Sequence, residues 1–557
     1  MNKNMRRNTS LIILPALTLL ATFAQAQQVP NAGTILQQTQ TPKPPAPSPS
    51  GTGLTIQQNN GSSLPPSAPF PVKTIQIDGN TLFDTATLHA LVANMEGTSL
   101  TLTQLGETAD RVTAYYHDHG YPLSRAIIPA QTIKDGVVRL MVIEARYGQI
   151  KLDNHSRTED ALLLSTLSTL HSGQPIAQTA LDHSLLLVSD IPGLDNSATL
   201  QPGAEVGTSD LLIATTTPQT VNGSASADNY GNRYTGTARL GGNLNVFGPL
   251  QHGDVLSVNV MTTGSDMDYG RLAYDTLLNG TGTRLGASYT ALHYTLGDTL
   301  SALGGHGTAD VASAWLKQPW IRTRDSNLYG QIEYDHKQLG DDIDSTDIQT
   351  NRHLDNWTAS LFGDRRDASG VNSWNVALIE GRLDFDNAAA QLADAGTAKI
   401  AGSFALWTAN ANRTQIINQD NSLYLAFSGQ WTNANLDSSQ KMVAGGPYTV
   451  RAYDMGAVSG DSGYLGNIEL RHELGALWSG QSQAILFADS EHVTINRTTW
   501  APGANDANLS GAGVGFNWFG PDQWTVKATV AAPIGSTPEL IGSNRSVHAW
   551  IEIDKAM

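Results

Sequence analysis

Residues 422–431 read Ser-Leu-Tyr-Leu-Ala-Phe-Ser-Gly-Gln-Trp, a stretch in which large apolar side chains occupy almost every second position. Successive side chains of a β-strand point to opposite faces of its sheet, so this pattern predicts a strand with one apolar face. The same alternation recurs in residues 524–530 and 547–554. We therefore predict that residues 219–557 form an all-β domain.

Two β folds show this alternation, a soluble β-sandwich and a membrane-spanning β-barrel, and the length of the alternating runs separates them. A strand that crosses the hydrocarbon core of a membrane needs about 9 to 11 residues, whereas strands of soluble proteins average about 5 to 6. The runs here fit the longer figure, and residues 219–557 could hold sixteen strands at about 21 residues per strand and connection. The sequence predicts a transmembrane antiparallel β-barrel of sixteen strands, whose membrane interfaces are marked by Trp315, Trp320, Trp500 and Trp518.

Residues 70–218 show alternating strand and helix signals instead. The predicted order is β-α-α-β-β in residues 70–148, where Asp84 can cap one helix and Thr101 with Gln104 forms a capping box for the next. The same order recurs in residues 149–218, a repeat of about 70 residues. We predict two tandem α+β modules before the barrel.

Residues 1–69 show the pattern of neither the α+β modules nor the barrel. Residues 1–26 combine three cations, an apolar run and a final Ala-Gln-Ala, the pattern of a cleaved signal peptide. Residues 27–69 are rich in Pro, Gln, Ser and Gly and are expected to form a tether, because they cannot bury enough apolar surface to fold alone. One exception is residues 31–38, which could form about two helical turns that present Ile35 and Leu36.

Composition excludes several function classes. The formal net charge is −17, and it becomes −20 once the three cations of the predicted signal are removed, which argues against nucleic-acid partners. The absence of cysteine excludes disulfides and thiolate chemistry. No stretch approaches the ~18 consecutive apolar residues of a membrane-spanning helix.

Three enzyme-like strings do not assemble into a catalytic site. Residues 460–463, Gly-Asp-Ser-Gly, copy the nucleophile string of trypsin-like proteases, but no matching histidine motif precedes them. His117 and His119 lie at helix positions that point apart, and no Gly-Lys dipeptide exists for a phosphate-binding loop. We expect no catalytic residue, no metal site, no cofactor and no nucleotide, and hence a protein that is not an enzyme.

Residues 445–453, Gly-Gly-Pro-Tyr-Thr-Val-Arg-Ala-Tyr, resemble the signature loop of the two-partner secretion transporters, also called the haemolysin secretion/activation family. The family loop reads Val-Arg-Gly-Tyr after a Gly-Gly turn, so Val450, Arg451 and Tyr453 match and Ala452 departs. A second family signature, Phe-x-Asp-x-Gly, begins here at Phe487 and lacks its glycine. The resemblance implies that Arg451, in a loop near residues 445–463, reaches down the lumen to Asp489.

The resemblance covers most of the chain. Residues 70–148 look like the first polypeptide-transport-associated (POTRA) domain of the family, residues 149–218 are expected to be the second, and residues 30–36 look like its plug helix. The C-terminus departs from the family, because it ends in Lys555-Ala556-Met557 rather than in an aromatic residue.

The resemblance implies a translocator in the cell outer membrane, with its POTRA domains in the periplasm, that exports a haemolysin-type or filamentous adhesin-type exoprotein by two-partner (type Vb) secretion. The expected partners are this exoprotein, outer-membrane lipid and the barrel assembly machinery, and neither nucleic acid nor nucleotide is expected. An assembly factor that inserts other barrels is the alternative, but that related family usually carries more modules and lacks the tether and plug helix. A passive porin would lack the modules.

Overall fold

A computed structural model describes residues 29–39, 47–57, 65–542 and 544–557. The predicted signal peptide and most of the proline-rich run at residues 42–49 lie outside the described residues. Among the helices that the structure describes, none is both long enough and apolar enough to cross a membrane.

The described chain before the barrel contains five α-helices and nine strands. The helices are α1 (Ala32–Thr39), α2 (Thr85–Ala90), α3 (Leu102–Asp118), α4 (Asp160–Thr166) and α5 (Gln178–Ser189). The strands are β1 (Leu54–Ile56), β2 (Phe70–Val72), β3 (Thr74–Asp78), β4 (Thr98–Leu100), β5 (Arg125–Ile127), β6 (Val137–Ile143), β7 (Arg146–His155), β8 (Asp195–Pro202) and β9 (Thr208–Thr216).

The first module packs α2 and α3 on a sheet of order β3-β6-β5, beside a small β2-β4 pair. Asp84 accepts a hydrogen bond from the backbone N–H of Thr87, so α2 begins where its cap is predicted. Thr101 and Gln104 form the predicted capping box, which starts α3. The apolar faces of both helices and the sheet meet in one core that includes Leu105 and Leu140. The β2-β4 pair is an addition to the predicted order.

The second module repeats this arrangement with α4 and α5 against strands β8, β9 and β7. Its sheet has a fourth strand, because β1 of the predicted tether adds in parallel to β8. The Gln57 N–H donates to the Leu200 carbonyl at 2.9 Å, and the Ala198 N–H donates to the Gly53 carbonyl at 3.0 Å. A segment that cannot fold alone can still order on a sheet edge, because the edge supplies unpaired backbone groups.

Sixteen antiparallel strands close into a barrel, in which β10 pairs with both β11 and β27. The first strands are β10 (Val221–Asp228), β11 (Arg239–Phe247), β12 (Val255–Thr262), β13 (Met267–Leu277), β14 (Arg284–Thr295), β15 (Gly305–Arg322), β16 (Ser326–Ile343) and β17 (Ile348–Asp367). The others are β18 (Gly370–Phe385), β19 (Gly402–Ile416), β20 (Asn421–Thr432), β23 (Ser462–Leu477), β24 (Gly480–Thr494), β25 (Asp506–Phe519), β26 (Trp524–Pro533) and β27 (His548–Ala556). The predicted fold class is confirmed.

Apolar side chains of the alternating runs face lipid and polar ones face the lumen, as predicted, but one predicted interfacial tryptophan lies elsewhere. Leu425, Phe427 and Trp320 are exposed on the outer wall. Trp315 was predicted to mark a membrane interface, but it faces the lumen and its indole N–H donates to Asp275 at 3.0 Å. The prediction was wrong because a tryptophan can sit on the wet face of a strand when a carboxylate accepts its N–H.

The two ends of the barrel differ. At one end, here called the module end, the Arg322 guanidinium pairs with Asp190 of the second module at 2.7 Å through both carboxylate oxygens. The tether is fixed at the same end, where the Ser48 N–H donates to Asp364 at 2.9 Å and Arg366 donates to the Ser48 carbonyl at 2.6 Å. The other end, here called the far end, carries α6 (Ala388–Ala395) and the long connection between β20 and β23.

Glu144 joins the two modules between β6 and β7. Its buried carboxylate accepts hydrogen bonds from the backbone N–H groups of Thr81 at 2.6 Å and Leu82 at 2.7 Å, and from the Tyr116 hydroxyl at 3.0 Å. Burial alone would raise the pKa of Glu144, but these hydrogen bonds outweigh it and hold the pKa below its ordinary value.

We predict that Glu144→Gln lowers the free energy of unfolding of the first module by about 1 to 3 kcal/mol, because hydrogen bonds to a charged group are lost. The depressed pKa implies that this contribution is present above about pH 4.3, the ordinary value for glutamate, and is lost as pH falls through the folded-state pKa. Hydrogen exchange of the β3 and β6 amides in the full chain measures it. Glu107→Gln, at an exposed site on α3, is the control, and equal protection in both variants would contradict the prediction.

Candidate functional site

The connection from residue 433 to 461 enters the barrel from the far end and folds back within the lumen. It contains a short 3-10 turn at Ser438–Gln440 and a hairpin of β21 (Met442–Ala444) and β22 (Val458–Gly460). Gly445 and Gly446 turn the chain after β21 with φ of +89° and +125°, conformations that other residues rarely adopt. The segment 445–453 that follows is here called the signature loop.

The Arg451 side chain holds the signature loop against the barrel wall. Its Nε donates to Asp489 at 2.8 Å, its Nη2 donates to the other Asp489 oxygen at 2.6 Å, and its Nη1 donates to Glu469 at 2.7 Å. The guanidinium carbon lies 3.5 Å from the centre of the Phe487 ring. The planar fork of an arginine matches a carboxylate with two parallel hydrogen bonds, and its face stacks on an aromatic ring. The structure thus brings together Arg451, Asp489 and Phe487.

Neighbouring residues satisfy the remaining groups of this cluster. Asn467 donates to Asp489 at 2.8 Å, and Arg471 donates to the second oxygen of Glu469 at 2.7 Å. Trp550 of β27 donates its indole N–H to the Arg451 carbonyl at 2.8 Å. Two arginines therefore face two carboxylates, and the cluster is balanced in charge although Arg451, Asp489 and Glu469 are all buried.

Sequence reasoning missed four residues of this cluster, which are Asn467, Glu469, Arg471 and Trp550. The first three are successive lumen-facing positions of β23, so the alternation of that strand could have marked them as wet. The alternation of residues 547–554 places Trp550 on the lumen face as well, but only the three-dimensional fold brings it beside a loop about a hundred residues earlier in the chain.

The other signature positions pack the loop in place. Val450, Ala452 and Tyr453 are fully buried in an apolar cluster with Leu509 and neighbouring residues of the wall. Ala452 stands where the family has glycine, and its methyl group lies over Gly511 of β25. A Cβ at residue 511 would approach the Ala452 Cβ to 2.4 Å, so the extra methyl of the loop is accommodated by a missing side chain in the wall.

The predicted plug helix, α1, lies inside the barrel. Ile35 and Leu36 are buried in a cluster that includes Tyr294 and Leu339 of the wall and Leu436. The N-terminus of α1 meets a carboxylate, because the Ala32 N–H donates to Asp341 at 2.7 Å, and Asn31 caps the first turn by accepting from the Thr34 N–H at 3.0 Å. A negative charge at a helix N-terminus is stabilising.

A second buried arginine links the plug helix to the connection that carries the signature loop. Arg352 donates to Asp341, which caps α1, at 2.7 Å and to Asp437 at 2.5 Å. Beside it, the Ser438 hydroxyl donates to Asn31 at 2.7 Å, and Gln37 donates to the Ser439 carbonyl. The plug helix, the wall and the loop connection are therefore joined by one polar network.

A cavity of about 600 Å³ lies between the plug helix and the signature loop. Polar and charged side chains line it, among them Gln37, Arg451, Glu469, Arg471 and Lys527. An extended polypeptide can pass this level of the barrel only if the plug helix or the loop moves.

A closed barrel whose lumen holds a helix and a folded-back loop, with α+β modules at one end, defines a polypeptide-transport barrel of the outer membrane. Residues 207–518 match the family model described as haemolysin secretion/activation protein ShlB/FhaC/HecB, and residues 70–145 match the model for the ShlB-type POTRA domain. The first match spans more than half of the chain, and the chain belongs to this family of two-partner secretion transporters.

Individual relatives agree with this assignment. The heme/hemopexin transporter protein HuxB of Haemophilus influenzae strain 86-028NP is 26% identical over 474 residues, which is 84% of each chain. The solved structure of CdiB from Escherichia coli superposes with a TM-score of 0.69 at 20% identity, over 95% of this chain and 96% of that one. BamA from Haemophilus ducreyi, solved without POTRA domains 1–3, shares the fold with a TM-score of 0.54 at 13% identity, over 88% of this chain and all of that one.

The comparisons therefore decide between the two functions that the sequence left open. The predicted two-partner secretion transporter is confirmed over the assembly factor, and so is its place in the outer membrane with the POTRA end in the periplasm. The module end of the barrel is periplasmic and the far end is extracellular. The family is one of transporters rather than of enzymes.

The fit of α1 makes a testable prediction at Gly33. A Cβ there would lie 2.3 Å from the Ser438 hydroxyl and 2.6 Å from the Ser439 backbone nitrogen, so Gly33→Val cannot dock as the wild type does. Such overpacking costs roughly 1 to 3 kcal/mol. We expect the fraction of open pores to rise by about 5- to 150-fold.

Ion conductance of the purified full-length protein in planar bilayers with KCl measures this fraction. The control is Thr34→Val, the next residue of α1, which keeps the side-chain shape and adds no atom against the backbone. If Gly33→Val conducted no more than this control, the docked position of α1 would not limit the pore.

Proposed function

We propose that the two modules receive one unfolded exoprotein in the periplasm and that the barrel passes it to the cell surface after α1 and the signature loop have moved aside. The observation that supports this most directly is the content of the lumen. Both elements that fill it are attached by side chains, through Arg352 and Arg451, rather than by strand pairing with the wall. Such attachments can open while the barrel stays closed.

The family is described by haemolysin secretion, and its relative HuxB is a heme/hemopexin transporter protein. We propose a large exoprotein of haemolysin or filamentous adhesin type. No nucleotide drives the step in this proposal, and the folding of the client outside the cell gives it direction. The chain itself performs no chemical reaction on the client.

Client capture would use a sheet edge of the first module. β5 pairs with only three residues of β6, and the Gln131 side chain occupies the next step of that edge. Its amide donates to the Arg139 carbonyl at 2.8 Å and accepts from the Arg139 N–H at 2.8 Å, as a backbone amide of a longer strand would. An extended client segment could replace this amide and continue the sheet, with specificity from pockets for alternate side chains.

Two further partners belong to the proposal. Outer-membrane lipid would contact the apolar outer wall, where Ile551 and Ile553 of the last strand are exposed. The barrel assembly machinery would insert the protein and would have to read a C-terminus that ends in Met557 rather than in an aromatic residue.

Deletion of residues 70–217 tests the capture step. We expect a barrel that still inserts but exports nothing, because client capture lies in the modules. Export is measured with the exoprotein expected to be encoded beside this chain, and heat-modifiable gel migration measures barrel folding. Deletion of residues 70–143 alone is the matched variant that keeps the Arg322–Asp190 contact, and undiminished export in either deletion would refute the proposal.

A double-mutant cycle tests the loop. Arg451→Ala leaves the buried Asp489 without a cation, and Asp489→Ala takes one of its two carboxylates from the buried Arg451. Each should slow export, because breaking a buried ion pair costs about 3 to 5 kcal/mol. Residues in contact couple, so the double variant should lose much less than the sum of the two losses.

The matched control is a partly exposed pair, Arg413 and Asp367, joined at 3.0 Å near a periplasmic turn. An exposed pair is worth about 0 to 1 kcal/mol, so Arg413→Ala should leave export almost unchanged. Additive losses for Arg451 and Asp489 would mean that their contact does not matter for export.

A further inference from the structure

Glu491 is a buried carboxylate that the resting cluster does not use. It lies two residues beyond Asp489 on β24, toward the extracellular end, at the position where the family signature has glycine. Glu491 is only 1% exposed. Within the described residues neither of its carboxylate oxygens has a hydrogen bond of normal geometry, although the Gly445 N–H points toward the carboxylate. Its cross-strand neighbours are Leu465 and Leu509.

An unpaired carboxylate in apolar surroundings is unfavourable, and such groups are rare in folded proteins. A glycine here would avoid the cost altogether. The arrival of a cation would also remove it, because ionised groups that are buried are stabilised by a close partner of opposite charge. A cation that reached Glu491 would therefore be held there.

Strand register arranges three carboxylates as steps along the lumen wall. Glu469 lies opposite Phe487, Asn467 lies opposite Asp489, and Leu465 lies opposite Glu491. Glu469, Asp489 and Glu491 therefore occupy successive levels two residues apart, or about 7 Å per level. Arg451 bridges the lower two levels in the resting structure.

We propose that Glu491 is a second docking position for Arg451, which the guanidinium reaches when the signature loop moves one level outward. In that outer position Arg451 would bridge Asp489 and Glu491 instead of Glu469 and Asp489. The use of this step in transport rests on the proposed function of the loop, whereas the docking itself can be measured without a client.

The exchange leaves no carboxylate without a partner. Glu469 keeps Arg471, whose Nε and Nη2 donate to it at 2.9 and 2.7 Å. Asp489 keeps the amide of Asn467 at 2.8 Å and one side of the Arg451 fork. Glu491 gains its first cation.

The resting position is favoured by a contact that the outward step would break. The Trp550 indole donates to the Arg451 carbonyl at 2.8 Å, and the outer position must give up this hydrogen bond. Two discrete arrangements with similar numbers of charged contacts make a bistable element, which a client could bias in either direction. With glycine at residue 491 the outer arrangement would keep only Asp489 and would lack a second carboxylate for the guanidinium.

Spin labels can locate the loop, because the chain has no native cysteine. We would label Pro447→Cys on the loop and Thr525→Cys near the periplasmic end of β26 in the full-length protein in lipid vesicles, and measure their separation by pulsed electron resonance. In the Glu469→Gln background the resting position loses one of its two carboxylates while Asp489 and Glu491, the pair of the outer position, stay intact. A population longer by about 7 Å should therefore appear or rise about tenfold. Adding Glu491→Gln should remove it.

Asp489→Asn is the matched background, because both positions use Asp489 and its loss weakens both, so this variant should favour the outer position much less than Glu469→Gln does. Glu333→Gln, a lumen carboxylate of β16 without a contact to the loop, is the control and should leave the separation unchanged. Heat-modifiable migration shows that each variant is folded. The proposal fails if the longer population is absent in the Glu469→Gln background, or if it persists when Glu491→Gln is added.

A transport measurement separates this inference from the proposed function. Glu491→Gln keeps the shape of the side chain and should slow client export by about tenfold, as expected when one partner of a charged pair is removed. A merely structural role predicts unchanged export, since the resting structure gives Glu491 no ion pair to lose. If module deletion left export intact while the label distances still depended on Glu491, the proposed capture step would be refuted and the docking position of Arg451 at Glu491 would still be supported.

Discussion

A polypeptide wall that faces lipid must satisfy every backbone N–H and C=O within itself, because hydrocarbon offers no partner. The closed ladder from β10 to β27 meets this demand, and the rest of the molecule follows from it. A wall that cannot open without exposing its hydrogen-bonding groups leaves only the lumen and the two ends for moving parts. Both the plug helix and the signature loop lie in the lumen, and the modules lie at one end.

Charged side chains are a suitable means of holding such parts. Arg352 and Arg451 each bridge two carboxylates, one arginine at the plug helix and one at the loop. A buried ion pair gives little net stability over an apolar contact, but its geometry is specific and its partners can be exchanged for others of the same charge. The lumen thus combines a rigid strand ladder with contents whose attachments are individually replaceable.

The sequence predicted what depends on local pattern. Alternation with a period of two is a property of each strand, so the barrel followed from it, and the length of residues 219–557 set the number of strands at sixteen. The caps at Asp84 and Thr101 started helices where expected. What it missed depends on register between distant strands, including Glu469 opposite Phe487 and the Asp341–Arg352–Asp437 bridge. Strand β1 was missed because three residues form a strand only when another edge is already present.

The anchor of Ser48 at the periplasmic rim sets a limit on how far α1 can travel. Eight residues separate Thr39 from Ser48, so while that anchor holds, a helix that has left the lumen stays within about 30 Å of the rim. A short connection of this kind holds a ligand at an effective concentration in the millimolar range. The return of α1 to the lumen would then be a unimolecular process, because each barrel carries its own plug helix. Its rate would not depend on how many transporters the membrane contains.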